Sequence, residues 1–380
     1  MLNLPTFFIE LFESNLHLIL TFTTFSILGN YAREGLAGLS NYKPSYVASG
    51  SVLWSNLTAS LIMGIMQELH AEPGWFPPEL TPLFVGVTTG FCGCLSSFSS
   101  MMLEIFNHST NFASNPNHYK WPNNGYGIME FLSVLFVHLL VSMGALIFGR
   151  QMGSEIIVRY CSVIMVDDNS TNDSSTNSQM APFAGCGEDK DQLPAEEQLE
   201  PPKRYPKPWI QKTIHYVDVL SYLLAIPLII LIIVLAAYYN NHSRADWTLP
   251  PLFGIIGGFT RFYVSNALNA KNKHFPIGTF VCNIVATLIL AILTMVQRGV
   301  RPGFLSPVVH SSVACLVTSG LMNGFCGSLS TISTFINEGY KLPFLDTLSY
   351  YFSTVFVSYC LVVITLGAYG WSRGLMEPVC

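Results

Sequence analysis

GFCGSLSTISTF, Gly324 to Phe335, and GFCGCLSSFSSM, Gly90 to Met101, are near copies of one another placed far apart in the chain, each inside a strongly apolar stretch. Glycines and small hydroxyl residues fill the middle of a membrane helix poorly. They make sense where the helix is meant to break, because unwound backbone at membrane depth survives only when buried in protein or lining a polar cavity. The competing reading is that these small residues simply let helices pack closely.

The surroundings of both copies are those of a membrane protein. The chain has 380 residues, half of them hydrophobic and only 11% charged, against about 25% charged in a soluble domain. Runs such as Val217 to Tyr239 reach the roughly 20 apolar residues that cross a bilayer. The apolar stretch from His17 to Tyr31 follows Glu10 and Glu13 rather than a basic segment, so it reads as a retained span and not a signal peptide. The net charge of −5 is small and argues against a nucleic-acid partner. Most of the nine cysteines lie in apolar segments without ligand spacing. Cys92 and Cys94 are read as packing rather than a metal pair, and no disulfides are expected.

Hydropathy predicts nine spans, at about 16–32, 46–66, 82–106, 128–149, 217–239, 250–267, 277–297, 308–336 and 347–371. The predicted fold is an all-α polytopic membrane protein. Residues 1–150 form a four-span unit and 151–212 a hydrophilic, disordered linker. Residues 213–240 carry a linking helix, and 241–380 a second four-span unit. The two units repeat one another. GNYAR (Gly29 to Arg33) matches GGFTR (Gly257 to Arg261), Asn56 matches Asn283, the glycine-hydroxyl motif follows in each third span, and Glu104 and Glu338 come just after it. A single linking span turns the second unit upside down relative to the first, as in transport folds with inverted repeats. Arg150, Arg159, Lys203, Arg204, Lys207 and Lys212 crowd the linker. The positive-inside rule therefore predicts a cytoplasmic linker and N-terminus and an extracellular C-terminus, with Arg298 and Arg301 left outside.

The motif closely resembles the GFCGGLTTFSTF signature of the Fluc (CrcB) fluoride channels. FPIGTFVCN (Phe275 to Asn283) is similar to that family's second span. A fused two-half chain with a linking helix looks like the eukaryotic fluoride exporter (FEX) group. The resemblance implies a passive fluoride channel in the plasma membrane, exporting fluoride from the cytoplasm, working as a monomer because its two halves are fused. It implies a structural Na⁺ between the halves, held by the backbone carbonyls of Gly93, Ser96, Gly327 and Ser330, and no organic cofactor or enzymatic activity.

The resemblance also implies an anion path. It runs past Phe98 and Phe335, whose matching positions in the other copy are Ile332 and Met101. Cross-pairing these positions leaves one passage with Phe98 and Phe335 and a vestigial one with Ile332 and Met101. Asn56 and Asn283 offer amide donors to a desolvated anion, or else hydrogen-bond between helices. Thr354 and Ser358, four residues apart, form a polar line in the working passage, and His138 and Ser142 the corresponding line in the vestigial one. Arg33 and Arg261 are expected either to draw anions into a vestibule or to snorkel as anchors. Glu104 and Glu338 are expected to be structural. The alternatives are a coupled F⁻/H⁺ carrier of the same fold and a fused dual-topology drug antiporter. The antiporter needs an acidic residue deep in the first span of each unit, and 16–32 and 250–267 contain none.

Overall fold

In the computed structural model, the described residues are 15–42, 50–72, 74–111, 123, 125–164, 204–238, 242–301 and 306–380. They fold into helices α1 (Leu16–Ser40), α2 (Leu53–Ala71), α3 (Pro78–Thr110) and α4 (Gly125–Cys161), then α5 (Pro208–Tyr238), and then α6 (His242–Asn269), α7 (Ile277–Arg298), α8 (Ser312–Lys341) and α9 (Phe344–Arg373). By length and composition, six of them can cross a membrane: α3, α4, α5, α7, α8 and α9. The polar content of α1 has a structural reason. Thr21, Thr23, Thr24, Ser26, Asn30 and Arg33 are all buried in protein, where an apolar surface is not required.

The helices of each half pack in matching ways. α1 lies against the first part of α3 and α6 against the first part of α8, while α2 packs on α4 and α7 on α9. α1 and α6 then meet each other with opposite chain directions. Phe22 meets Phe259 at 4.5 Å between ring centroids, Ser26 sits beside Gly258, Asn30 beside Gly254, and Tyr31 against Trp247. Beyond their breaks α3 and α8 stay against α4 and α9 of their own halves and also reach across to the other half. The end of α3 packs on α7 and α9, and the end of α8 on α2 and α4.

Three expectations need correction. α4 runs on to Cys161, into the stretch expected to be disordered linker, because Val158 packs into a small core with Leu69, Trp75 and Ile210. It leads into β1 (Ser162–Ile164), which pairs antiparallel with β2 (Arg204–Pro206), so both ends of the expected disordered linker are ordered. Its middle, 165–203, lies outside the described residues. α5 likewise starts at Pro208 rather than near 213, and it docks on α1 through Thr24 Oγ1 to Ser221 O (2.7 Å) and His17 Nε2 to Asp218 Oδ1 (3.1 Å).

The third correction is a disulfide, Cys315–Cys380. The sequence reading placed Cys315 inside a span, but α8 begins only at Ser312, so Cys315 lies in its first turn. The C-terminal tail returns to meet it. Met376 N donates to Arg298 O (2.7 Å) and Leu375 bridges Gly299, which brings Cys380 alongside.

Candidate functional site

Both copies of the motif break their helix. Ser96 and Ser97 are extended, with φ/ψ of −87°/150° and −142°/117°, and α3 resumes at Phe98. Ser330 is extended at −91°/156°, and α8 resumes at Ser333. An α-helix would send the N–H of Ser97 to the carbonyl of Gly93, and that of Thr331 to Gly327. Asn56 Oδ1 takes the first N–H instead, at 2.9 Å, and Asn283 Oδ1 takes the second, also at 2.9 Å. The buried asparagines thus hold the breaks open, and the carbonyls of Gly93 and Gly327 lose their helical donors.

The restarting helices are capped twice over. Within each half, Ser97 Oγ accepts from Ser100 N (3.2 Å) and Thr331 Oγ1 from Thr334 N (3.4 Å), the standard work of a hydroxyl N-cap. Across the halves, Ser96 Oγ accepts from the N–H groups of Ile332 (3.2 Å) and Ser333 (3.1 Å), and Ser330 Oγ accepts from Ser99 N (3.0 Å). Each half therefore supplies the other with a second cap. Small hydroxyl residues are needed here because both backbones must come within one hydrogen bond of each other.

Arg33 and Arg261 close this centre. Both are buried, at 4% and 1% exposure, which excludes the snorkelling anchor expected from the sequence. Arg33 donates to Cys94 O (2.6 Å), to Asn30 Oδ1 (2.7 Å) and to Asn323 O of the other half. Arg261 donates to Ser328 O (2.9 Å) and to Thr89 O of the other half (2.7 Å). The guanidinium groups lie against Gly327 and Gly93 respectively, so any side chain at those glycines would collide with them. Arg33 also borders a cavity of about 510 Å³ with Glu104, Ser100 and Arg298, whereas Arg261 does not.

Phe98 and Phe335 meet across the halves, their ring centroids 5.4 Å apart and both fully buried. Phe335 also touches Tyr350 and Tyr351 of α9, at 4.8 and 4.5 Å. Ile332 and Met101 are buried in the same apolar cluster. Thr354 donates to its own helix at Tyr350 O (2.6 Å), while Ser358 and its counterpart Ser142 are buried with no hydrogen-bond partner among the described residues. Glu338 accepts from Thr279 Oγ1 (2.8 Å), Tyr350 OH (2.9 Å) and Asn269 Nδ2 (2.9 Å). Glu104 has Val52 N at 3.3 Å and His138 Nε2 at 3.5 Å, and the Ser51 hydroxyl also bonds it. Thr279, Asn269 and Tyr350 are not among the site residues expected from the sequence. Tyr350 was within reach, since it stands four residues before Thr354 on the same helical face as Ser358.

The model of the CrcB-like protein family (Camphor Resistance, CrcB) matches residues 20–150 and again 248–368, once over each half. The chain belongs to the CrcB family. Over 368 residues, 96% of each chain, it is 51% identical to fluoride export protein 1 of Saccharomyces cerevisiae. It is 32% identical to fluoride export protein 1 of Candida albicans over 380 residues, covering 97% of this chain and 84% of that one. Over a shorter stretch of 87 residues it is 34% identical to fluoride-specific ion channel FluC 1 of Yersinia pestis, 22% of this chain and 59% of that one. No solved structure matches it. The two CrcB matches coincide with the two sets of four helices, and α5 falls between them.

Proposed function

We propose that this CrcB-family chain is a fluoride channel with one working passage. The observation that carries the reading is the pairing of Phe98 with Phe335 across the halves. Relatives matched over nearly the whole chain are named for fluoride export, and the aromatic pair is the part of the site suited to such an ion. Ring edges carry partial positive charge, so they face a small anion in an apolar passage without trapping it as a full cation would. Tyr350, Thr354 and Ser358 continue the path along α9, Ser358 with its hydroxyl unpartnered. Ile332, Met101, His138 and Ser142 belong to the vestigial counterpart. The electrical driving force is ample. Undissociated HF enters through lipid and ionises at cytoplasmic pH. An inside-negative potential then expels the anion, worth about 2.3 kcal/mol per 100 mV.

The topology follows from the same reading. Nine spans place the halves upside down relative to each other, supported by the opposed directions of α1 and α6. With the linker cytoplasmic, Cys315 and Cys380 fall on the outer side of the plasma membrane. Disulfides persist in that compartment, so the bond supports the orientation the positive charges gave. One chain supplies both halves, so it works as a monomer.

The backbone at the two breaks fits a hard cation such as Na⁺, which takes oxygen ligands. Gly93 and Gly327 carbonyls have lost their helical donors to Asn56 and Asn283, and with the carbonyls of Ser96 and Ser330 they would hold it. The ion would supply positive charge joining the two unwound segments.

Purified protein in liposomes tests the channel form. With an imposed voltage and no proton or cation gradient, fluoride efflux should proceed and chloride efflux should not. Efflux that requires a proton gradient would establish the coupled carrier instead, and equal chloride passage would remove fluoride as the substrate.

A further inference from the structure

The vestigial passage retains part of the apparatus of the working one. Ser142 matches Ser358, and both hydroxyls are buried without a partner among the described residues. Glu104 matches Glu338, and Asn56 holds its break as Asn283 does. What differs is the lining around the carboxylate. Where the working passage sets the hydroxyls of Thr279 and Tyr350 on Glu338, the repeat places Val52 and Val134. Where it sets the small side chain of Thr354, the repeat places His138.

His138 is only 2% exposed and is braced on both ring nitrogens. Nε2 lies 3.5 Å from Glu104 Oε2, and Nδ1 lies 3.5 Å from Asn56 Nδ2. Both contacts are at the long end of hydrogen bonding, so close burial as much as the two contacts keeps the ring in place. Asn56 in turn is fixed by its bond to Ser97 N (2.9 Å), so the brace is anchored on the helix break itself. Outside the ring stands Glu104, whose charge is repulsive to an anion and which borders the cavity of about 510 Å³ leading in.

We propose that His138, pinned between Glu104 and Asn56, is the residue that shuts the second passage. Loss of the aromatic pair removes its ion path, and the imidazole blocks what remains. The inference rests on the one-passage reading above, and the test separates the two. Fluoride efflux from liposomes is measured first for Phe335→Ala. If that variant conducts like the parent, the one-passage reading fails. If it is silent, it becomes the background for two further chains. The first adds Met101→Phe and Ile332→Phe, and the second adds these with His138→Thr.

The expected result is that the first stays silent, while the second conducts fluoride at least about tenfold faster than the first. Equal efflux from both would show that the aromatic residues alone decide and would overturn the role of His138. Folding is checked with the working passage as reporter. The same three changes in a chain that retains Phe335 should conduct. If they do, silence of the His138→Thr chain in the Phe335→Ala background also overturns the proposal. If they do not, His138→Thr alone in the Met101→Phe, Phe335→Ala chain replaces the full set and is held to the same two outcomes.

Discussion

At the breaks of α3 and α8 the two halves make the same bonds. Asn56 holds Ser97 as Asn283 holds Thr331, Ser96 caps α8 as Ser330 caps α3, and Arg33 covers Gly327 as Arg261 covers Gly93. Two turns away the likeness ends. Glu338 gathers three side-chain donors, from Thr279, Tyr350 and Asn269, whereas Glu104 has the Ser51 hydroxyl, the Val52 backbone N–H and His138. The difference separates two kinds of constraint. Each break needs a cap from the other half, so a change on one side damages both sides and the symmetry persists. Among the described residues no hydrogen bond joins the side chains around Glu338 to those around Glu104, so one set can change while the other is kept.

This comparison predicts which paired substitutions act equally and which do not. The largest effect is expected for Arg33→Ala and Arg261→Ala. Each removes at least two buried charge-assisted hydrogen bonds, roughly 3–6 kcal/mol in all, and both should lower the unfolding temperature in detergent by similar amounts. A large drop for one and none for the other would break the claim of a shared centre. Next come Asn56→Ala and Asn283→Ala. Each orphans the N–H at a break, at a cost of about 1–3 kcal/mol, again visible as matching losses of thermal stability. The smallest effect is expected in transport and only on one side. Ser358→Ala removes a donor from the working passage and should slow fluoride efflux roughly fivefold, from about 1 kcal/mol. Ser142→Ala should leave efflux at the parent rate. Equal slowing by both serine variants would mean that both passages conduct.

The break itself was legible because the glycine-hydroxyl pattern came twice and resembles a family signature, since small residues alone fit close helix packing as well. Asn56 and Asn283 were also conspicuous as mid-membrane amides. Their Oδ1 atoms are committed to backbone N–H groups, however, a bond that depends on where α2 and α7 lie against the breaks. Of the two alternatives for the arginines, snorkelling fails for a similar reason. Snorkelling is decided by which face a helix turns outward, and α1 and α6 turn Arg33 and Arg261 toward each other's half. The Cys315–Cys380 bond joins residues brought together only by the returning C-terminal tail, so no local spacing announced it. Thr279 and Asn269 escaped notice because their value lies in converging on Glu338 from different helices.

The central claim is that fluoride crosses between Phe98 and Phe335 alone. It is tested most directly by fluoride efflux from liposomes carrying Phe335→Ala beside liposomes carrying Met101→Ala, the same position in the two halves, at equal amounts of folded protein. Efflux should be almost completely lost for Phe335→Ala and parent-like for Met101→Ala. Similar losses in the two, or similar survival, would contradict it.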